Sequence, residues 1–263
     1  MDTPLITLTT DFGDGGYVAQ MKGVILGIRP GTGLVDICHT VPPGNIAEAA
    51  WLLRDVVEAF DPTTIHVAVV DPGVGSGRGL IAAETAWGRF VAPDNGLLTL
   101  IMDDCPGGPR AIHRLTCPAY WRPHVAATFH GRDILAPVAA WIARGTSLMD
   151  LGPALDASVR LPLPRPIRAP RDVRGEVVRV DHFGNLITNV SARDLPDETL
   201  FPSTEVRCDD IVLKGIWRYY AEGTPREPLA LIGSNARLEV AIPGDHAAKR
   251  LAKGIGAPVV VRW

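Results

Sequence analysis

Apolar positions in the N-terminal part of the chain alternate between the two-residue period of β-strands and the longer period of α-helices. The short β-branched runs Leu5–Thr10 and Thr64–Val70 predict strands, and the apolar positions of residues 18–28 recur at helical spacing. A second helix is predicted after Asn45, because asparagine is a suitable N-cap residue and apolar positions recur at the helical period beyond it. Such alternation predicts a parallel sheet covered by helices. Further strands are predicted at Gly33–Ile37, Leu80–Ala83 and Phe90–Ala92.

The pattern changes at a proline-rich segment, RLPLPRPIRAPR at residues 160–171, whose four prolines leave no room for a helix or a central strand. After it, short apolar runs separated by glycine, proline and aspartate predict a small β-barrel or sandwich, with helical spacing only near residues 247–253. We therefore predict an α/β protein of two domains. Residues 1–161 form an N-terminal domain with a mainly parallel sheet flanked by helices, residues 162–171 a linker, and residues 172–263 a smaller C-terminal domain that is β-barrel-like.

Composition and charge narrow the class of partner. The 263 residues include 26 basic and 29 acidic side chains, and a formal net charge of −3 offers no electrostatic footprint for nucleic acid or an anionic membrane. A small molecule is the favoured partner. No targeting segment or membrane span is recognisable, which predicts a cytoplasmic protein. The cysteines lack C-x-x-C spacing and are predicted to be buried thiols: Cys38, Cys105, Cys117 and Cys208.

Two aspartates stand directly after predicted strands, where open parallel sheets bind their ligands. Asp11 follows the first strand in TTDFGDGG, and Asp71 follows Thr64–Val70 in VVDPGVGSGR. Asp11 therefore has two possible roles. It can form a turn, since aspartate is common in turns next to glycine, or it can bind two vicinal hydroxyls, such as those of a ribose. At Asp71 the turn interpretation is weakened by Arg78, whose guanidinium can reach back across the same glycine-rich loop.

Three further segments carry candidate polar or aromatic groups. His130, in TFHGRD, is predicted between a strand end and a helix capped by Asp133, with a purely structural histidine as the alternative. In DHFGNLITN, Phe183 offers an apolar face and Asn185 an amide that can read a heterocycle edge, although a simple Gly-Asn hairpin explains this stretch equally well. Ser234, in the turn of IGSNAR, is a weak signal by itself.

Common nucleotide and hydrolase motifs are absent from the sequence. It contains no Walker-type G-x-x-x-x-G-K-[ST], no H-E-x-x-H and no G-x-S-x-G. The segment GVGSGRG is similar to a phosphate-binding loop but lacks the lysine that such loops need. We therefore expect neither phosphate binding at this loop nor a metal site.

Six blocks run along nearly the whole chain: TTDFGDGGYVAQMKGVI, VVDPGVGSGR, APDNG, TFHGRDILAPVAA, DHFGNLITN and GSNARLEVAI. Together they resemble the S-adenosyl-L-methionine hydroxide adenosyltransferase family, the hydrolytic relatives of the fluorinase and chlorinase. The resemblance implies an α/β N-terminal domain, a β-barrel-like C-terminal domain, and a homotrimer whose sites lie between one subunit's N-domain and a neighbour's C-domain. It also implies attack of water or hydroxide on C5′ of S-adenosyl-L-methionine, giving adenosine and L-methionine, with no cofactor because S-adenosyl-L-methionine is the substrate.

The resemblance also implies roles for individual residues. The family's hydrolytic centre is an aspartate, an arginine and a histidine, which fall here on Asp71, Arg78 and His130. Arg78 would hold the attacking water and favour its ionised form, and either Asp71 or His130 would orient the water or accept its proton. The implied substrate contacts are Asp11 on the ribose hydroxyls, Phe183 and Asn185 on the adenine or ribose, and Ser234 on the methionine end.

One stretch departs from the family pattern. The segment DFGDGGY, residues 11–17, is one residue shorter than usual, and the usual segment carries an acid near its middle that meets the methionine amine. Asp14 is the candidate to take over that contact.

Other functions compete with hydrolysis. A halogenase acting on S-adenosyl-L-methionine would use chloride or fluoride at the same carbon, but a halide needs no proton acceptor, whereas His130 and Arg78 stand where hydrolysis would use them. A non-catalytic protein that binds S-adenosyl-L-methionine or adenosine would keep the pocket without turnover. An unrelated nucleotide-binding protein with Mg²⁺-coordinating aspartates is disfavoured by the missing lysine loop.

Overall fold

The protein forms two compact units in a computed structural model that describes residues 4–263. The first unit ends at Leu161, and the second comprises Pro162–Trp263. Across residues 4–263, no helix has the length and apolar character that a membrane span requires.

The first unit contains a six-stranded mixed sheet with the order β2-β1-β3-β5-β4-β6. Strand β1 pairs in parallel with β2 and β3, and β3 pairs in parallel with β5, whereas β4 runs antiparallel to β5 and β6. The prediction of a mainly parallel sheet is therefore only partly right. Strands β4 and β5 are joined by the two residues Ala86 and Trp87, and so short a connection permits only antiparallel pairing. The strands are β1 (Leu5–Thr10), β2 (Gly33–Cys38), β3 (Ile65–Val69), β4 (Leu80–Thr85), β5 (Gly88–Pro93) and β6 (Ala111–Arg114).

Helices cover both faces of this sheet. Helix α1 (Tyr17–Ile28) and helix α4 (Ala136–Ala143) share one buried core with the sheet, and α2 (Ile46–Val56) and α3 (Thr99–Asp104) share the other. The predicted cap of α2 is confirmed, because the Asn45 side chain accepts a hydrogen bond from the Glu48 N–H at 3.0 Å. The apolar stripe of α1 is confirmed as well, since its inward positions are buried: Val18, Met21 and Ile25.

The second unit is a nearly closed antiparallel sheet, as predicted for a β-barrel-like domain. Its path is β11-β10-β14-β8-β9-β13-β12, with β7 paired to β8, and the two end strands, β11 and β12, contact one another. The strands are β7 (Ile167–Ala169), β8 (Asp172–Val180), β9 (Leu186–Ser191), β10 (Glu205–Cys208), β11 (Ile211–Lys214), β12 (Leu229–Ile232), β13 (Arg237–Ala241) and β14 (Pro258–Arg262); the helix is α5 (Ala247–Leu251).

Strand β7 lies inside the segment that the sequence predicts to be a linker. It consists of the three residues between Pro166 and Pro170, and it pairs only with β8. Proline is tolerated beside such a short edge strand because no further strand needs its missing N–H.

His66 is a buried histidine in the middle of β3. Its ring stacks on Phe90 with the centroids 4.9 Å apart, and its Nδ1 is hydrogen-bonded to the Thr7 hydroxyl at 2.8 Å. Burial lowers the pKa of His66 from 6.5 to about 4. The unfolded chain therefore takes up a proton on this ring as the pH falls below 6.5, while the folded chain does not until about pH 4. The stability that His66 contributes is complete above pH 6.5 and is lost as the pH falls toward 4.

We predict that the double substitution Thr7→Val/His66→Phe, which replaces both hydrogen-bonding partners by apolar groups, flattens this pH dependence. Between pH 7 and 5 the unsubstituted protein should lose about 2 kcal/mol more of its free energy of unfolding than the double variant. Urea unfolding at both pH values measures the difference. His124→Gln, at an exposed histidine, is the control and should behave like the unsubstituted protein. An unchanged pH dependence in the double variant would contradict the assignment to His66.

Candidate active site

The loop between β3 and β4 carries an aspartate and an arginine that are bound to each other. The Arg78 Nε donates hydrogen bonds to Asp71 Oδ1 and Oδ2 at 2.9 and 2.8 Å, and Arg78 Nη2 also donates to Oδ2. Only 11% of the Arg78 side chain and 5% of the Asp71 side chain are exposed. Several hydrogen bonds between one carboxylate and one guanidinium fix the orientation of the two groups relative to each other. The glycine-rich turn thus folds Arg78 back onto Asp71, as the sequence predicts.

Glycine at position 75 allows this loop to pack against a second segment. Gly75 has a φ of +80°, and a Cβ atom there would lie 2.6 Å from the carbonyl oxygen of Ala127. Any other residue would have to displace that backbone. Ala127 lies three residues before His130, so this close approach brings the loop of Asp71 and Arg78 beside the histidine.

His130 completes a contiguous group of three side chains. Its Nδ1 lies 3.0 Å from Arg78 Nη2. Because a guanidinium only donates, Nδ1 must accept, and the neutral ring then carries its proton on Nε2. Burial and the adjacent Arg78 charge lower the pKa of His130 below its usual 6.5. A protonated ring has no lone pair for Arg78, so the contact and the neutral state support each other.

The surroundings of His130 correct two predictions. Residues 121–129 form turns and irregular backbone rather than a strand end, and His130 is the first residue of a helical segment. Asp133 does not cap that helix. It lies inside a π-helical turn, Gly131–Leu135, where its buried carboxylate binds Arg122 and Arg132. The sequence pattern could not distinguish a capping aspartate from one that is buried by two arginines.

Asp11 lies at the strand end next to that of Asp71. Thr10 in β1 is the register partner of Val69 in β3, so the residues that follow these two strands leave the same edge of the sheet. Asp11 Oδ2 accepts a hydrogen bond from the Gly44 N–H at 2.8 Å, which is a loop-stabilising contact. Within residues 4–263, Asp11 Oδ1 has no hydrogen-bonding partner, so it can still bind a ligand hydroxyl. Asp14 is exposed in the loop that follows.

An aromatic cluster that sequence reasoning missed lies beside these groups. Phe12 follows Asp11, and Phe129 precedes His130; their ring centroids are 5.6 Å apart. Tyr17 completes the cluster, at 5.8 Å from Phe12 and 5.4 Å from Phe129. The available signal was an aromatic residue adjacent in sequence to each of two candidate site residues.

The second unit contains a cavity of about 680 Å³, a size typical of small-molecule sites. Phe183, which is 74% exposed, and Asn185, which is buried, both line it. The hairpin interpretation holds too, since the Asp181 N–H donates to the Asn185 carbonyl at 3.1 Å and Gly184 has a φ of +89°. The turn therefore places these two side chains at the cavity. The remaining lining residues are Tyr220, Ala221, Ile242, Pro243, Gly244 and Asp245.

Two residues of the second unit differ from expectation. Ser234 is exposed in the turn between β12 and β13, and it is not among the residues that line this cavity. Tyr220 lines the cavity and was not predicted. Its hydroxyl donates to Glu239 Oε2 at 3.0 Å, and burial together with the Glu239 charge raises the pKa of Tyr220 to about 12, so the phenol stays neutral.

Family models match both units of the chain. A model described as the S-adenosyl-L-methionine hydroxide adenosyltransferase N-terminal domain matches residues 6–152, and the model of the corresponding C-terminal domain matches residues 175–260. This chain belongs to the S-adenosyl-L-methionine hydroxide adenosyltransferase family.

Relatives and a solved structure of this family match almost the whole chain. The chain is 40% identical to an (R)-S-adenosyl-L-methionine hydrolase of Salinispora tropica, over 95% of this chain and 94% of that protein. It is 34% identical to a protein of the same name from Thermus thermophilus, over 95% of this chain and 96% of that protein. A fluorinase of an Actinoplanes species is 28% identical over 81% of this chain and 79% of that protein. The crystal structure of an uncharacterized conserved protein from Thermotoga maritima superposes with a TM-score of 0.91, at 31% identity, covering 98% of this chain and all of that one.

Two glycines of the loop between Asp71 and Arg78 offer a matched test of the geometry that joins this loop to His130. Gly75→Ala forces a left-handed residue against the Ala127 carbonyl, whereas a Cβ atom at Gly77 meets nothing within 4 Å. We expect Gly75→Ala to cost at least about 1 kcal/mol of stability and Gly77→Ala to be tolerated. Loss of the Arg78 contact should also return the pKa of His130 toward 6.5, as measured by NMR titration of the ring. Titration curves of both variants that match the unsubstituted protein would contradict this account.

Proposed function

We propose that this protein hydrolyses S-adenosyl-L-methionine at C5′, giving adenosine and L-methionine. The observation that supports this most strongly is the contact of one guanidinium, Arg78, with both Asp71 and His130 beyond the carboxyl end of β3. Such a group suits activation of an oxygen nucleophile. The hydrolase names of the relatives at 34–40% identity agree with this reaction.

The reaction breaks the bond between C5′ and the sulfonium sulfur and forms a bond between C5′ and a water oxygen. The electron pair of the broken bond stays on sulfur, which becomes the neutral thioether of methionine, and the water gives up one proton. The sulfonium is a good leaving group, so the main tasks of the site are to align the water opposite sulfur and to take its proton. The sulfonium itself supplies the leaving group, so the proposal includes no cofactor.

Asp71 is the proposed proton acceptor. Arg78 never accepts a proton at working pH, and the Nδ1 lone pair of His130 is already used by Arg78. The Asp71 oxygens accept from Arg78 but keep further lone pairs, because a carboxylate offers about four acceptor positions. His130 would then orient the water as a donor through Nε2–H, and the Arg78 charge would stabilise developing hydroxide.

The binding contacts form part of the same proposal. Asp11 would hold the ribose hydroxyls through Oδ1, and Phe183 and Asn185 would contact the adenine or ribose. Asp14 would bind the methionine amine, and Ser234 would contact the methionine end. The homotrimer implied by the family resemblance and the cytoplasmic location predicted from the sequence also belong to this proposal.

The reaction can be tested in ¹⁸O water with the purified protein. We expect adenosine that carries one ¹⁸O atom, because the nucleophile is water. The relatives are named for the (R) compound, so each sulfur epimer of S-adenosyl-L-methionine is incubated separately. Each incubation is run with and without chloride, and the nucleoside product is analysed by mass spectrometry. A 5′-halo nucleoside in chloride would instead support the halogenase, and measurable binding without turnover of either epimer would support a passive binding protein.

Substitutions at Asp71 and His130 test the assigned roles. Asp71→Asn and His130→Ala should each lower kcat by about 100-fold or more, with a much smaller effect on substrate binding. His130→Asn retains an oxygen acceptor for Arg78 and should keep at least about tenfold more turnover than His130→Ala.

The pH profile gives an independent check of this assignment. Activity of the unsubstituted protein should fall as the pH drops through the lowered pKa of His130, below 6.5, since the protonated ring cannot accept from Arg78. His130→Asn should lose this part of the profile. Equal losses of kcat and binding in the Ala variant would mean that His130 only holds substrate.

A further inference from the structure

We propose that Asp133 is a positioning residue, whose buried carboxylate fixes the loop of residues 122–130 so that His130 faces Arg78. The inference rests on the proposed function, because it assigns Asp133 a role through His130. Asp133 lies three residues beyond His130 in the chain, and it acts on His130 indirectly, by binding the loop that precedes the histidine.

The Asp133 side chain is fully buried and accepts four hydrogen bonds. Arg132 donates from Nε at 2.7 Å and from Nη2 at 2.9 Å, Arg122 donates from Nη1 at 2.8 Å, and the backbone N–H of Ala126 donates at 2.9 Å. Burial alone would raise the pKa of Asp133, but the hydrogen bonds from Arg132, Ala126 and Arg122 lower it to about 2. The carboxylate is therefore charged throughout the working pH range.

These contacts close the loop that carries His130. The Arg122 backbone N–H donates to the Asp133 carbonyl at 2.9 Å, so both the main chain and the side chain of Asp133 hold the far end of the loop. Ala126, in its middle, is tied to the same carboxylate. The next residue, Ala127, presents the carbonyl that packs on Gly75 in the loop of Asp71 and Arg78. Asp133 thus holds the loop that leads to His130, including the segment that packs against Gly75 in the loop of Arg78.

Arg132 extends the restraint to the residue immediately before His130. Its guanidinium carbon lies 4.8 Å above the Phe129 ring, and its Nη1 donates to Gln20 Oε1 in α1 at 2.8 Å. Asp133 holds this guanidinium through two hydrogen bonds. Asp133 lies in the π-helical turn Gly131–Leu135, and π-helical turns are frequent at functional sites.

The alternative to a positioning role is that Asp133 forms a buried ion pair that only stabilises the fold. The pKa of His130 in an Asp133 variant distinguishes these two roles. The charged groups that face His130 are Arg78, Asp71 and Asp133. Loss of the Asp133 charge alone, with the geometry kept, lowers the pKa of His130 further, because a nearby anion has been removed. Release of the loop does the opposite. It exposes the ring and breaks the Arg78 contact, so the pKa rises toward 6.5.

The experiment compares Asp133→Asn with a matched control, Asp104→Asn. Asp104 binds Arg54 at 3.2 Å in the same unit, so the control makes the same chemical change at another arginine–carboxylate pair. For Asp133→Asn we expect kcat to fall by about 10- to 100-fold while KM changes by less than about twofold, because the misplaced groups act on the reacting water rather than on substrate binding. We also expect the pKa of His130 to rise. Asp104→Asn should change neither.

A milder variant covers the case in which Asp133→Asn fails to fold. Arg122→Gln removes one partner from the solvent side and should shift kcat and the His130 titration in the same direction by a smaller amount. Unchanged kcat, or a His130 pKa that stays or falls in the folded variant, would overturn the proposal. The NMR titration needs no substrate, so it tests the positioning role even if the protein proves not to hydrolyse S-adenosyl-L-methionine.

Discussion

The site of the first unit depends on one guanidinium shared between an acid and an imidazole. Arg78 neutralises the buried Asp71 carboxylate and at the same time occupies the Nδ1 lone pair of His130. Removing Arg78 would leave a buried carboxylate without its counter-ion, which is far more costly than losing an exposed ion pair. It would also free the histidine to adopt either tautomer. The orientation of the Asp71 carboxylate and the tautomer of His130 are therefore both set by Arg78.

Backbone geometry brings these groups into contact. Parallel pairing of β1 with β3 places Asp11 and Asp71 at neighbouring strand ends, and the left-handed Gly75 lets the next loop approach Ala127. Gly131 makes a further close approach, since a Cβ atom there would lie 3.2 Å from Val69 Cγ1 at the end of β3. Small residues at these two positions allow segments 52 and 62 residues apart in sequence to touch.

Local patterns predicted much of this arrangement. The helical period after Asn45 and the β-branched run of β3 identified their elements, and the glycines between Asp71 and Arg78 indicated that the two side chains could meet. Strand β4 was predicted, but its antiparallel direction was not, because its turn, Ala86 and Trp87, lacks the glycine or asparagine that is typical of a two-residue hairpin.

Features that depend on distant segments were missed. Tyr220, which lines the cavity, is hydrogen-bonded to Glu239 in β13, and the buried Asp133 binds Arg122 from eleven residues upstream. Neither contact leaves a periodic signal in the sequence. Phe183 and Asn185 could be identified because a tight turn presents both of them over a few residues.

The Asn185 amide has a fixed orientation that limits what the cavity can recognise. Its Nδ2 donates to Asp181 Oδ2 at 2.9 Å, and its backbone N–H donates to Asp181 Oδ1 at 2.8 Å. A carboxylate only accepts, so this contact fixes which side of the amide carries the nitrogen, and the oxygen and the second N–H of Nδ2 remain for a ligand. A planar ligand edge that sets a donor opposite the oxygen and an acceptor opposite the N–H matches this amide, whereas the same edge turned round places donor against donor and acceptor against acceptor. Asp181 thereby sets the order in which Asn185 offers an acceptor and a donor to the cavity.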